Sequence, residues 1–181
     1  KTTAWSGGKT TELFIFPSTA NYAARNFSFR LSTATVEVET SEFTQLPGIA
    51  RKLMVLEGKT TLTHQNHHTA NLNKFDADSF LGDWKTTSAG KCTDFNVMTA
   101  GALKSTLSAL RTEKGNTTNY QLQEKSTWLF IYVFKGEIII NHQKTSAKKG
   151  DLFVLENPTQ STLNLKSAKD SELVFTEIFP S

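Results

Sequence analysis

Leu56-Glu57-Gly58-Lys59-Thr60-Thr61-Leu62-Thr63-His64-Gln65 can be laid on Phe134-Lys135-Gly136-Glu137-Ile138-Ile139-Ile140-Asn141-His142-Gln143. Gly58 falls on Gly136, Leu62 on Ile140, and His64-Gln65 on His142-Gln143. Each copy reads as a strand, a tight turn at the glycine and a second strand, because glycine supplies the backbone freedom a short hairpin needs. The first copy joins Lys52–Leu56 to Lys59–Gln65, and the second joins Trp128–Phe134 to Glu137–His142. The copies lie nearly half the chain apart, and a repeat at that distance predicts two related β-modules.

The rest of the chain agrees with this reading. From Asn26 to Glu39 the residues alternate, with Phe27, Phe29, Leu31, Thr33 and Thr35 on one face and Ser28, Arg30, Ser32, Ala34 and Val36 on the other. Cys92 to Thr99 predicts a strand that carries Asp94, Asn96 and Met98 on one face. Phe75 to Trp84 reads as short strands and turns, and Leu103 to Arg111 as a helical turn or an exposed strand. Leu152–Leu155, Leu163–Leu165 and Glu172–Phe179 are further strands, with Asn157-Pro158 ending the first of them. Many short strands separated by Gly, Pro, Asn and Asp predict an all-β barrel or sandwich.

Composition narrows the function classes. With 181 residues, 38% hydrophobic and 20% charged, the chain can bury a substantial core. A net charge of +3 is too small to argue for nucleic acid, and no stretch clusters Lys and Arg with stacking aromatics. No apolar run has membrane-spanning length. Cys92 is the single cysteine, so an intrachain disulfide is excluded. With no charged-then-apolar leader in these residues, the expected location is the cytoplasm.

Four blocks then resemble the HutD/Ves family: Ala4-Trp5-Ser6-Gly7-Gly8-Lys9-Thr10-Thr11-Glu12-Leu13, Phe29-Arg30-Leu31-Ser32-Thr33-Ala34-Thr35-Val36, Phe43 to Gly58 around Leu46-Pro47-Gly48-Ile49-Ala50-Arg51, and Asp94-Phe95-Asn96-Val97-Met98. They occur in order over about the first hundred residues. The second half is similar through Gly150-Asp151 and Asn157-Pro158, which look like cupin turns. The resemblance implies a bicupin, two jelly-roll barrels in one chain, over residues 1–100 and 101–181, tightly associated and with strands exchanged between them. It also implies a small polar ligand, such as urocanate or a formylated amino acid, and a link to histidine breakdown. Ser6 stands where the motif usually has asparagine, and Ala50 where it usually has an acid before Arg51. Both departures lie in the part of the pattern that bears on ligand specificity.

Arg30 and Ser32 share a strand face with Ala34 and Val36, so that face is expected to be at least partly covered. A covered guanidinium needs a partner, and its fork of donors matches a carboxylate. That partner is either a ligand or a protein acid, with Asp94 and Glu12 as the candidates. Arg51 shares a face with Leu53 and Val55 at a strand entrance, where a group at a barrel mouth would sit. Asp94 and Asn96 are expected to orient an arginine or accept a ligand N–H. Thr11 completes the polar lining, and Trp5 shields it. Gly7-Gly8 forms a turn without the spacing of a phosphate loop.

Histidine is where a metal would show. His64, His67, His68 and His142 include no His-x-His pair, and His64 and His68, four apart, align on a helix rather than a strand. No metal and no cofactor are therefore expected, and His64 and His142 read as repeated surface residues at strand ends. Cys92 next to Lys91 reads as a small buried thiol, and no nucleophile elbow is present. The expected function is a metal-free binding or accessory protein for a small anionic metabolite. The rival is a metal-independent cupin isomerase or hydrolase, which needs a titratable group beside Arg30. A third class, a regulatory partner, would show an exposed apolar patch and no internal pocket.

Overall fold

The computed structural model describes residues 1–140 and 145–181, so His142 and its match to His64 lie outside the described residues. The described residues form 19 strands and no helix. It divides into two compact units, Lys1–Leu103 and Lys104–Ser181.

The first unit holds β1 (Thr2–Trp5), β2 (Gly8–Phe16), β3 (Phe29–Val36), β4 (Thr40–Glu42), β5 (Ile49–Gly58), β6 (Thr60–His64), β7 (Thr69–Leu72), β8 (Ala77–Leu81), β9 (Thr86–Ala89) and β10 (Cys92–Ala100). Six of these form an antiparallel sheet in the order β1-β2-β3-β10-β5-β8, and four form a second in the order β4-β9-β6-β7. Val36, Leu53, Val55, Leu62, Leu72, Phe80 and Cys92 come from both sheets and pack into one buried cluster. This is the jelly-roll arrangement, in which two inward-facing sheet surfaces close on each other.

The second unit repeats the plan. After β11 (Leu103–Ser105) come β12 (Ser108–Thr112), β13 (Thr117–Gln121), β14 (Trp128–Lys135), β15 (Glu137–Ile140), β16 (Thr145–Lys148), β17 (Leu152–Glu156), β18 (Thr162–Ser167) and β19 (Ser171–Pro180). β12 pairs with β19, which pairs with β14, which pairs with β17; the other sheet runs β13-β18-β15-β16. The first unit has the same two paths in β3-β10-β5-β8 and β4-β9-β6-β7. The core of the second unit joins Leu129, Ile131 and Val133 of β14 with Ile138, Ile140, Leu163, Leu165, Leu173 and Phe175. The segment Leu103 to Arg111, open between helix and strand in the sequence, is β11 and most of β12.

The two aligned glycines do the same work in both units. Gly58 has φ 79° and Gly136 φ 85°, backbone that a Cβ disfavours. A Cβ on Gly58 would lie 2.5 Å from the Lys91 carbonyl oxygen, at the start of β10. A Cβ on Gly136 would meet Asp170 and Ser171, at the start of β19. Each turn is pressed against the beginning of its unit's central strand, which explains why glycine recurs there.

Candidate functional site

The central strand β10 fixes the site. Its Met98 lies opposite Arg30 of β3 on one side and Arg51 of β5 on the other. One step along the same face, Asn96 lies opposite Ser32 and Leu53; a further step brings Asp94 opposite Ala34 and Val55. Side chains two apart on a strand share a face, so three strands present two arginines, a serine, an asparagine and an aspartate to one side of the sheet. They line a cavity of about 690 Å³, within the size range of small-molecule pockets.

β2 adds the acid. Its pairing with β3 is in register through Glu12 opposite Ser32, and then shifts so that Phe14 faces Leu31 and Ile15 faces Arg30. The extra residue at this bulge reverses which face the strand presents. Thr10 and Glu12 therefore line the cavity, whereas Phe14 and Phe16 stack on Phe29 on the other side. Thr11 corrects the sequence expectation. It lies on the opposite face of β2, its hydroxyl 2.9 Å from that of Thr2, and Thr10 takes its place in the lining. Trp5 stands at the rim with 38% of its surface exposed, folded back over Gly7.

The two arginines are held differently. Arg30 Nε donates to Glu12 Oε2 at 2.7 Å and Nη1 donates to the Ser32 hydroxyl at 3.1 Å, while its guanidinium lies 4.5 Å from the centre of the Tyr22 ring. Of the two acids the sequence offered, Glu12 is the one that pairs, and it engages a single N–H of the five. Arg51 is buried between Phe43 and Phe80, with its guanidinium carbon 4.8 and 5.0 Å from their ring centres. Its Nε has no hydrogen-bond partner among the described residues. Burial lowers its pKa to about 10, against the opposing fields of Tyr22 and Asp94.

Asp94 brings a carboxyl with a shifted pKa to the cavity. Burial pushes its carboxyl up to about 7, partly offset by the charge of Arg51. Asp94 Oδ1 and Asn96 Oδ1 also lack partners among the described residues. Buried polar atoms without partners are rare in native structures, and three of them line this one cavity. Cys92, nearby on β10, is buried and its thiol is pushed up to about 12, so it is an inert packing group.

Sequence reasoning missed Tyr22 and Phe43, which line the cavity together with Met98, the residue expected on the face of Asp94 and Asn96. Tyr22 lies in the connection between β2 and β3, where no period signals orientation. His64 is a second correction. It ends β6 but is 2% exposed rather than on the surface, with Phe80 4.5 Å and Trp84 5.6 Å from its ring.

The HutD family profile matches residues 1–175. The chain belongs to the HutD family. No curated protein matches this HutD-family chain. Among solved structures it is similar to a conserved protein of unknown function from Pseudomonas aeruginosa PAO1, at 22% identity and TM-score 0.83, over 99% of this chain and 94% of that one. It is also similar to HutD from Pseudomonas fluorescens SBW25, determined in a formate condition, at 17% identity and TM-score 0.78, over 100% and 94% of the two chains. The bacterial pirin YhhW of Escherichia coli, in complex with nickel(II), matches at 12% identity and TM-score 0.71, over 100% and 96%. At these identities the likeness shows the fold, a bicupin, and the family match makes this a HutD-type cupin protein. No helix among the described residues is long and apolar enough to cross a membrane.

Proposed function

We propose that the cavity of the first unit binds a small carboxylate and that the protein acts as a binding or accessory protein of metabolism. The observation that carries this reading is Arg51, a buried guanidinium facing a cavity with no hydrogen-bond partner among the described residues at Nε. An isolated buried charge is costly, and a carboxylate that accepts from it offsets that cost. Arg30 lies in the same cross-strand row and offers donors that Glu12 and Ser32 do not use. Asn96 and Asp94 line the far end of the face, where they suit the N–H or polar tail of the ligand. Urocanate and formylated amino acids combine these features, and the solved HutD obtained in a formate condition is in keeping with a carboxylate-sized group. A role beside histidine breakdown follows the family. The two guanidinium groups repel a metal cation, so ligand capture in this cavity runs without one.

A second reading rests on Asp94. A carboxyl held at about 7 beside a carboxylate-binding arginine has the protonation behaviour of a general acid–base group. It favours a metal-independent isomerase or hydrolase acting on the bound carboxylate. Turnover that disappears in Asp94→Asn while ligand binding persists would establish it.

The test of the binding reading is thermal shift with formate, acetate, urocanate, histidine and formylglutamate. A true ligand at a hundred times its dissociation constant stabilises the fold by about 2.7 kcal/mol. Arg30→Ala and Arg51→Ala are each expected to abolish the response. No response to any carboxylate, or a response that survives both substitutions, overturns the reading.

A further inference from the structure

We propose that His64, His68 and Asp78 form a binding site for a divalent transition metal, with zinc the best-fitting ion. The three side chains lie apart from the arginine cavity. One donor atom from each falls within 4.8 Å of the others. His64 Nε2 is 2.8 Å from Asp78 Oδ2, and His68 Nε2 is 3.0 Å from both Asp78 oxygens.

The hairpin defeats the spacing argument made from sequence. His64 N–H donates to the His68 carbonyl at 2.9 Å across the turn between β6 and β7, and Asn66 takes φ 65° to close it. Four residues apart, the two histidines become neighbours, with ring centres 4.6 Å apart. Asp78 arrives from β8, so two separate segments of the fold supply the donors.

The surroundings are those of a supported ligand set. His64 Nδ1 lies 2.8 Å from the Thr86 hydroxyl, and this second contact leaves Nε2 as the atom turned to Asp78. Metal-bound histidines commonly anchor the other ring nitrogen in this way, which fixes ring orientation. Asp78 Oδ1 accepts the Ser79 backbone N–H at 2.8 Å. Phe80 and Trp84 wall the buried side, and His67 stacks on Trp84 at 3.8 Å.

The donor set suits a cation, because two imidazoles and a carboxylate converge on one point. Two nitrogens and one carboxylate oxygen match the donors of zinc sites that keep a fourth position for water. The His68 side chain is 41% exposed, which gives an ion a route from solvent. Only small shifts are needed, since imidazole and carboxylate ligands sit about 2.0–2.2 Å from zinc.

The experiment uses the full chain, freed of any purification tag and stripped with chelator. Titration with Zn²⁺ is expected to give one equivalent bound at micromolar affinity or tighter and a raised Tm, and Co²⁺ is expected to give visible absorption of a site with nitrogen ligands. His68→Ala and Asp78→Asn should each weaken binding at least tenfold, Thr86→Val by about ten- to a hundredfold, and Glu113→Gln, exposed in the second unit, not at all. Millimolar or non-stoichiometric binding by the wild-type chain overturns the proposal without any variant. So does tight binding that persists in both His68→Ala and Asp78→Asn.

Discussion

Arg51 and Arg30 flank Met98 in a single cross-strand row of the six-stranded sheet, yet among the described residues only Arg30 has a protein carboxylate at hydrogen-bond distance. Glu12 holds Arg30 and sets its direction. Arg51 sits between two aromatic rings with its Nε unmet among the described residues. Evolution of a core for stability alone would not leave a guanidinium there. The asymmetry suggests a division of labour, in which Arg30 is fixed in advance and Arg51 supplies the unspent hydrogen-bonding capacity.

Arg51→Met tests that division. Replacing a buried guanidinium whose Nε lacks a partner among the described residues by an apolar side chain of similar length is expected to raise the stability of the ligand-free protein by about 1–3 kcal/mol. The same substitution should abolish carboxylate binding. Chemical denaturation beside calorimetric titration reads both. A destabilised variant would mean that the protein itself satisfies Arg51.

Glu12→Gln removes the negative charge beside Arg30 while keeping an acceptor for Nε. Carboxylate affinity is expected to rise about fivefold, the equivalent of roughly 1 kcal/mol. Weaker or unchanged binding, measured by titration at low salt, would show that Glu12 does not compete electrostatically with the ligand.

Asp94 sets the pH dependence. Its folded-state pKa of about 7 lies above the ordinary 3.8, so between those values the native state holds a proton that the unfolded state has lost. Its contribution to stability is therefore full below 3.8 and declines as pH rises through about 7. An anionic ligand favours the neutral form, so carboxylate binding should also tighten as pH is lowered through about 7. Asp94→Asn should flatten both profiles. A wild-type affinity independent of pH across neutrality would contradict the assignment.

The duplicated glycine turns make matched expectations. Gly58→Ala and Gly136→Ala each place a Cβ on left-handed backbone and against the start of a central strand. Each is expected to cost about 1–3 kcal/mol. Thermal unfolding of both variants checks this, and a neutral effect at either turn would separate the two units' designs.

Much of this was legible in the sequence, for a physical reason. Strand period placed Arg30 with Ser32 and Asp94 with Asn96, and the repeat around Gly58 and Gly136 anticipated two copies of one strand plan. What failed depends on pairing between distant segments. Thr11 was expected in the lining, but only the register with β3 reveals which face of β2 turns inward, and the bulge beyond Glu12 breaks the period altogether. Tyr22 and Phe43 come from connections with no alternation to read. His64 and His68 look unrelated along a strand, and only the closed hairpin and the arrival of Asp78 bring them together.

The most direct measurement is a crystal structure of the wild-type protein grown with saturating formylglutamate or urocanate. A carboxylate oxygen within hydrogen-bond distance of Arg51 Nε, with Arg30 still paired to Glu12, is the expected result. A ligand bound elsewhere, or Arg51 paired to Asp94 with the cavity closed, would contradict the account.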